Sequence, residues 1–215
     1  MNTKTKKLTT LAMLSAMAYV LMFVSKIIPA VQGFLQYDAK DVVITIGGFM
    51  LGPVYALIIS LVVSLLELVT VSDTGIIGLV MNIVSTAAFS CTASLIYHKV
   101  KSMKGAYLSL AAATIVLTAV MLLWNYYITP LYMHIPRSVI VPMLPTVFLP
   151  FNLVKGLINS GFILFTYKPI VTALQRAGFI QNETANKKMF IPALVTGIVL
   201  VAIFIPVILH MANVI

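Results

Sequence analysis

The chain has very little charge and almost no cysteine. Of its 215 residues only 9% are charged, and Asp and Glu together number 5. Soluble domains carry about 25% charged residues, so a water-soluble globule is excluded. The single cysteine, Cys91, excludes an intrachain disulfide and any cysteine cluster for zinc or iron–sulfur. There is no G-x-x-x-x-G-K-[ST] segment, hence no recognisable nucleotide-hydrolysing motor. Neither a His-Glu-x-x-His pair nor Cys/His ligand spacing occurs, and no metal site or cofactor is expected. His98, His134 and His210 sit at or near the ends of apolar runs, where a solvated surface histidine is the default. With no plausible nucleophile–base pair, the chain is not expected to be an enzyme.

What is abundant is apolar sequence, 61% by count. At about 20 residues per crossing, the chain can hold six or seven transmembrane helices. Its net charge of +9 punctuates apolar runs and forms no patch beside aromatics, so nucleic acid is not an expected partner. Apolar runs cover 8–28, 41–71, 76–97, 106–130, 146–172 and 189–211. Pro/Gly or charged punctuation separates them at 29–33, 72–75, 99–105, 130–145 and 176–188. The first run follows Lys4, Lys6 and Lys7 like a signal peptide. It exceeds the about 7–15 residue core of a cleaved signal and lacks a clear cleavage site, so it reads as the first crossing.

The stretch 41–71 decides the topology. As two helices broken at Gly47, Gly48, Gly52 and Pro53, it leaves Lys4, Lys6, Lys7, Lys99, Lys101, Lys104, Lys168, Arg176, Lys187 and Lys188 on the cytoplasmic side. Only Lys26, Lys40 and Arg137 then lie outside, with Lys155 inside a helix, which obeys the positive-inside rule. These residues extend only about 46 Å as helix, less than two crossings of a core about 30 Å thick. One helix of the pair is therefore short, and the first is favoured. The segment 29–40 must dip into the outer membrane half to meet it, where irregular backbone survives only packed in protein or lining a cavity.

Polar groups gather at that same outer level. Counted by helical rise, Glu67 lies about 6 Å below the outer end of its span, Asn82 about 9 Å and Asn125 about 8 Å. Asn152 and Lys155 lie about 9 and 14 Å down theirs, with Asn159 deeper on the same face. The inner halves hold mostly hydroxyls such as Ser60, Ser90, Thr92 and Thr114, which can bond their own helix. An ionisable group within a span costs about 2.5–3.5 kcal/mol on insertion scales, so Glu67 and Lys155 need a wet cavity, a mutual partner or a ligand. A structural ion pair with asparagines as interhelical glue is the plain alternative, at about 0.6 kcal/mol per asparagine. So many groups at one depth favour a pocket. Trp124, Tyr126, Tyr127, Phe148 and Phe151 stand at its level, where an interfacial belt is the ordinary reading of any one aromatic. Together the set suits a planar heteroaromatic guest with several carbonyl and hydroxyl groups. Asp38, Asp41 and Asp73 read as loop or helix-capping residues, with Asp41 in the first turn of its helix. Ala12 and Ala16, four apart on the first span, form a small-residue face that lets another helix approach.

A set of motifs resembles a known family. Tyr37-Asp38-Ala39-Lys40-Asp41-Val42, Gly47-Gly48-Phe49-Met50-Leu51-Gly52-Pro53, Asn82, Lys104-Gly105-Ala106, Asn125-Tyr126-Tyr127 with Pro130, and Leu149-Pro150-Phe151-Asn152-Leu153-Val154-Lys155-Gly156 look like the riboflavin-specific substrate-binding (S) subunit of energy-coupling factor (ECF) transporters. The last motif is the most specific, and the resemblance covers about residues 8–175. It implies an all-α integral membrane protein, a six-helix S-component bundle that captures riboflavin from outside under its first extracellular loop. It also implies a transmembrane coupling (T) protein and two cytoplasmic ATPases as partners, and some members also bind flavin mononucleotide (FMN). By the same resemblance Tyr37, Glu67, Asn82, Asn125, Asn152 and Lys155 are the substrate-binding residues, and Ala12 and Ala16 the docking surface for the coupling protein. One departure is Val63, where many relatives carry lysine. The other is the apolar run 189–211, which extends beyond the six-helix pattern.

The expectations are thus a riboflavin-binding membrane domain at 1–175, and a cytoplasmic linker with a seventh transmembrane helix at 176–215. The chain is expected in a bacterial cell membrane, N-terminus cytoplasmic, with the lipid bilayer as its solvent. The rival readings are a self-sufficient proton-coupled secondary transporter using Glu67 and Lys155, an S component for another vitamin, and a membrane enzyme. Against the first, secondary transporters often show paired broken helices, and only one broken region is found.

Overall fold

The structure, a computed structural model, describes residues 3–72, 74–177 and 190–212. Asp73, Lys187 and Lys188 lie outside the described residues. Six stretches are long and apolar enough to cross a membrane: Lys4–Ser25, Pro53–Thr70, Gly75–Lys99, Met103–Tyr127, Arg137–Arg176 and Ile191–Met211. They comprise α1 (Thr3–Ser25), α3 (Pro53–Thr70), α4 (Gly75–Thr86) continued by α5 (Thr92–Lys99), α6 (Met103–Tyr127), α8 (Arg137–Met143) continued by α9 (Leu149–Arg176), and α10 (Phe190–Met211). Between α1 and α3 lies α2 (Lys40–Leu51), only 12 residues long. At 1.5 Å per residue it rises about 18 Å, so it is the short member of the pair, as the sequence favoured.

The break between α2 and α3 falls at Gly52, not at Gly47 or Gly48. Gly52 has φ +112°, a backbone open to glycine, and Pro53 follows at the first position of α3, where a missing N–H costs nothing. Gly47 stays helical for a different reason. A Cβ there would sit 2.8 Å from Ile59 Cδ1 and 3.1 Å from Leu14 Cδ1, so its absence lets α1 and α3 close onto α2.

Two π-helical turns interrupt the long spans. The first, Ala87–Cys91, joins α4 to α5 and brings Ser90 Oγ to 2.8 Å from Thr45 Oγ1 on α2. The second, Leu144–Phe148, joins α8 to α9. The sequence reads 130–145 as punctuation because it is rich in proline. Instead α7 (Thr129–Met133) and α8 are helical there. The wide turn accommodates Pro142 and Pro145, and Thr146 Oγ1 donates to the Pro142 carbonyl at 2.8 Å.

The α1–α2 connection is a compact cover. Val31 and Leu35 exchange backbone hydrogen bonds of 2.9 and 3.0 Å across a turn whose residues Gln32 and Gly33 both have positive φ. Gln36 Nε2 donates to the Ile28 carbonyl at 2.7 Å. Val31, Leu35 and Tyr37 are buried, in one apolar cluster with Phe148, Phe151 and Val154. A second cluster joins α2, α5, α6 and α9, and a third α1, α2 and α3.

Candidate functional site

Beneath the cover lies a chamber of about 300 Å³, at the lower end of the about 300–1,000 Å³ typical of ligand pockets. Among its lining residues are Gln36, Tyr37, Glu67, Asn82, Phe151, Asn152 and Lys155. Of the residues singled out in the sequence, Tyr37, Glu67, Asn82, Asn152 and Lys155 therefore meet in one space. Asn125 does not line it. Its Nδ2 donates to the Met121 carbonyl at 2.7 Å and its Oδ1 accepts from Thr129 Oγ1 at 2.9 Å, which occupies both ends of the amide within its own helix region. Ala12 and Ala16 lie elsewhere, exposed on α1, Ala16 bordering an apolar groove of about 840 Å³ between α1, α9 and α10.

Glu67, near the end of α3, collects three donors. Its Oε2 accepts from Lys40 Nζ at 2.7 Å and from Asn82 Nδ2 at 2.9 Å, while Oε1 lies 3.4 Å from Lys26 Nζ. Lys40 also pairs with Asp38, whose Oδ1 accepts from the Lys40 backbone N–H at 3.0 Å. Burial would raise the Asp38 pKa, but the Lys40 and Lys155 ammonium groups outweigh it and hold the carboxyl below its usual range.

Lys155 is held loosely. Its Nζ is 3.5 Å from Asp41 Oδ2 and 3.4 Å from Ser85 Oγ, whereas charge-assisted N–H···O bonds are about 2.7–2.9 Å. Asp41 is fully buried and also accepts from Thr86 Oγ1 at 2.7 Å and Asn159 Nδ2 at 3.4 Å. Asn159 Oδ1 in turn accepts from the Tyr37 hydroxyl at 2.9 Å. Burial, followed by Asp41 and Asp38, pushes the Tyr37 pKa well up, which keeps the phenol a donor and ties the cover to α9.

The loop and capping readings of Asp38 and Asp41 are thus incomplete. Asp41 does stand in the first turn of α2, but it is 0% exposed, and Lys40 beside it is 1% exposed. Lys26, Lys40 and Lys155 face Asp38, Asp41 and Glu67, an equal number of opposite charges. The available signal was electrostatic: a lysine and two aspartates at a segment that has to dip into the membrane need partners there. His98 likewise differs from a solvated surface group, with its Nε2 3.0 Å from the Gly48 carbonyl.

Two atoms face the chamber with bonding capacity to spare. Asn152 Nδ2 donates to the Phe148 carbonyl at 2.8 Å, and its Oδ1 has no partner among the described residues. Among the described residues the Lys155 ammonium has only the two long contacts above. Phe151 presents an apolar surface in the same lining. The chamber thus offers an acceptor, a cationic donor and an aromatic wall to one small guest.

Comparison with known proteins gives this geometry a family. A model of the ECF transporter substrate-specific component matches residues 6–171. The riboflavin transporter RibU of Staphylococcus aureus (strain TCH60) is 34% identical over 179 residues, 80% of this chain and 93% of that protein. The riboflavin transporter FmnP of Bacillus subtilis (strain 168) is 30% identical over 77% of this chain and 94% of its own length. A solved S component of a bacterial ECF transporter superposes with a TM-score of 0.69 at 34% identity, over 80% of this chain and 99% of the other. The chain belongs to the substrate-specific components of ECF transporters.

Proposed function

We propose that the chamber captures riboflavin from the outer side of a bacterial membrane for uptake driven by ATPases in partner subunits. The observation that carries this is the pairing of a loosely held Lys155 ammonium with the unpartnered Asn152 amide oxygen in one chamber beside Phe151. A flavin has a planar ring with a carbonyl and N–H edge and a hydroxylated chain. The edge matches a donor and an acceptor, the ring matches an aromatic wall, and a site with buried polar groups penalises analogues lacking the matching atoms. The names of the relatives support riboflavin over another vitamin.

Lys26, Lys40 and Lys155 around the chamber equal Asp38, Asp41 and Glu67 in number, with Lys26 partly exposed, and that balance suits an uncharged guest. Riboflavin is uncharged and FMN carries a phosphate, so the same balance favours the vitamin over its phosphate. Asn125, its amide bonded to Met121 and Thr129, is not counted among the contacts of the guest. Ala12 and Ala16 are exposed on α1, away from the chamber, and form the face on which a coupling protein docks, with its two ATPases on the cytoplasmic side.

The test is a titration of the purified protein with riboflavin, FMN and an unrelated vitamin, read by quenching of Trp124 fluorescence. Saturable binding is expected for riboflavin, weaker binding for FMN and none for the unrelated vitamin. A flat response to riboflavin would refute the reading. Ala12→Leu or Ala16→Leu is expected to leave that titration unchanged and to block uptake in cells.

A further inference from the structure

The family model ends at residue 171, so α10 lies beyond it. The structure nevertheless seats this helix firmly. A Cβ on Gly197 would lie 2.6 Å from the Gly161 carbonyl oxygen and 2.9 Å from the Phe165 backbone nitrogen, so α10 approaches α9 backbone to backbone. The Tyr107 hydroxyl of α6 donates to Thr196 Oγ1 at 3.2 Å. Seated in this way, α10 runs antiparallel to α9 and carries its last turns to the level of the cover. There Ile208 is 1% exposed, in one apolar cluster with Val31, Leu35 and Tyr37, and Phe204, Ile205 and Met211 pack against that cluster. Ile205 and Ile208 also line the apolar groove together with Ile28, Tyr37 and Ala39, the two flanks of the cover.

We propose that the end of α10 holds the 31–37 hairpin down over the chamber, with Ile205 and Ile208 as the positioning residues that slow release of the guest. The inference rests on the preceding reading in treating the hairpin as the cover over bound riboflavin. Neither isoleucine itself lines the chamber. Their effect therefore falls on how long the cover stays shut, and the association rate is set by the open form.

The experiment uses the full chain with Ile205→Ala and Ile208→Ala combined, the conservative Ile208→Val, and Ile198→Ala on the exposed face of α10 as a control. Riboflavin association and dissociation are followed by stopped-flow fluorescence, and amide hydrogen exchange is followed at 31–37 in ligand-free protein. The double variant is expected to release riboflavin about tenfold faster, since it loses buried methyl and methylene groups from the seat of the cover. Its association rate should not fall, because a cover freed of its seat opens more often. Ile208→Val and Ile198→Ala should release at the wild-type rate. Exchange at 31–37 should accelerate in the double variant while exchange in α6 does not. Unchanged release and unchanged exchange at 31–37 would overturn the proposal. If the wild-type protein binds no riboflavin, the flavin reading fails and exchange alone decides: faster exchange at 31–37 upholds the strap and unchanged exchange refutes it.

Discussion

The two halves of the bundle use polar side chains in opposite ways. Away from the chamber, hydroxyls mostly turn back on their own helices: Ser94 donates to Ser90, Thr114 to Leu110, Thr118 to Thr114 and Ser160 to Gly156, all through backbone carbonyls. Contacts that do cross there, such as Thr45 to Ser90 and Tyr107 to Thr196, are uncharged. Ser60 and Ser64 on α3 are buried with no hydrogen-bond partner among the described residues. At the chamber end polar groups reach between elements, as in Lys26 to Glu67, Lys155 to Asp41 and Tyr37 to Asn159. A hydroxyl that satisfies its own backbone is neutral toward its neighbours and specifies little. A charge or amide that must cross to another helix fixes both elements and leaves directed valences at the space between them. The functional end of this membrane protein is therefore the end where charges are shared between elements.

The contrast breaks most visibly at Lys155. Lys155→Ala strands the fully buried Asp41 and removes the cationic donor, and truncating one partner of a buried charge pair costs about 2–5 kcal/mol. Riboflavin affinity measured by fluorescence titration should fall by about 100-fold or more. Asn152→Ala removes one acceptor without stranding a charge, and should cost about tenfold in the same titration.

Much of this division was legible in the sequence, and the places where it was not are instructive. Helical rise alone put Glu67, Asn82, Asn152 and Lys155 at one level, and the lack of length in 41–71 required one short helix and favoured α2, which the structure gives 12 residues. Periodicity could not show that Asn125 spends both ends of its amide on Met121 and Thr129, since that depends on a rotamer and on the start of α7. Nor could it pair Lys40 with Glu67 or Lys155 with Asp41, because those partners are distant in sequence and meet only once the cover folds inward. Prolines 142 and 145 read as a break because sequence rules assume α-helical spacing. A π turn absorbs them and keeps α8 and α9 continuous.

Acidity offers a smaller and sharper test. Asp38 has a lowered pKa in the fold, so the stability it contributes is fully present above the ordinary aspartate value and is lost only as pH falls through the lowered one. The part of riboflavin affinity that depends on Asp38 should be constant from about pH 8 to about pH 5 and weaken only below about pH 4. A proton-coupled secondary transporter would instead show uptake by this chain alone that follows the pH gradient. The smallest effect belongs to the other half of the bundle. Thr118→Val replaces a hydroxyl whose bond stays within its own helix, and should change affinity by less than about twofold.

The most direct measurement is an experimental structure of the protein with riboflavin bound. The flavin should lie under the 31–37 hairpin, with an acceptor atom against Lys155 Nζ, a donor against Asn152 Oδ1 and its ring beside Phe151. Flavin in the apolar groove between α1, α9 and α10, or a chamber that stays empty at saturating riboflavin, would contradict the account.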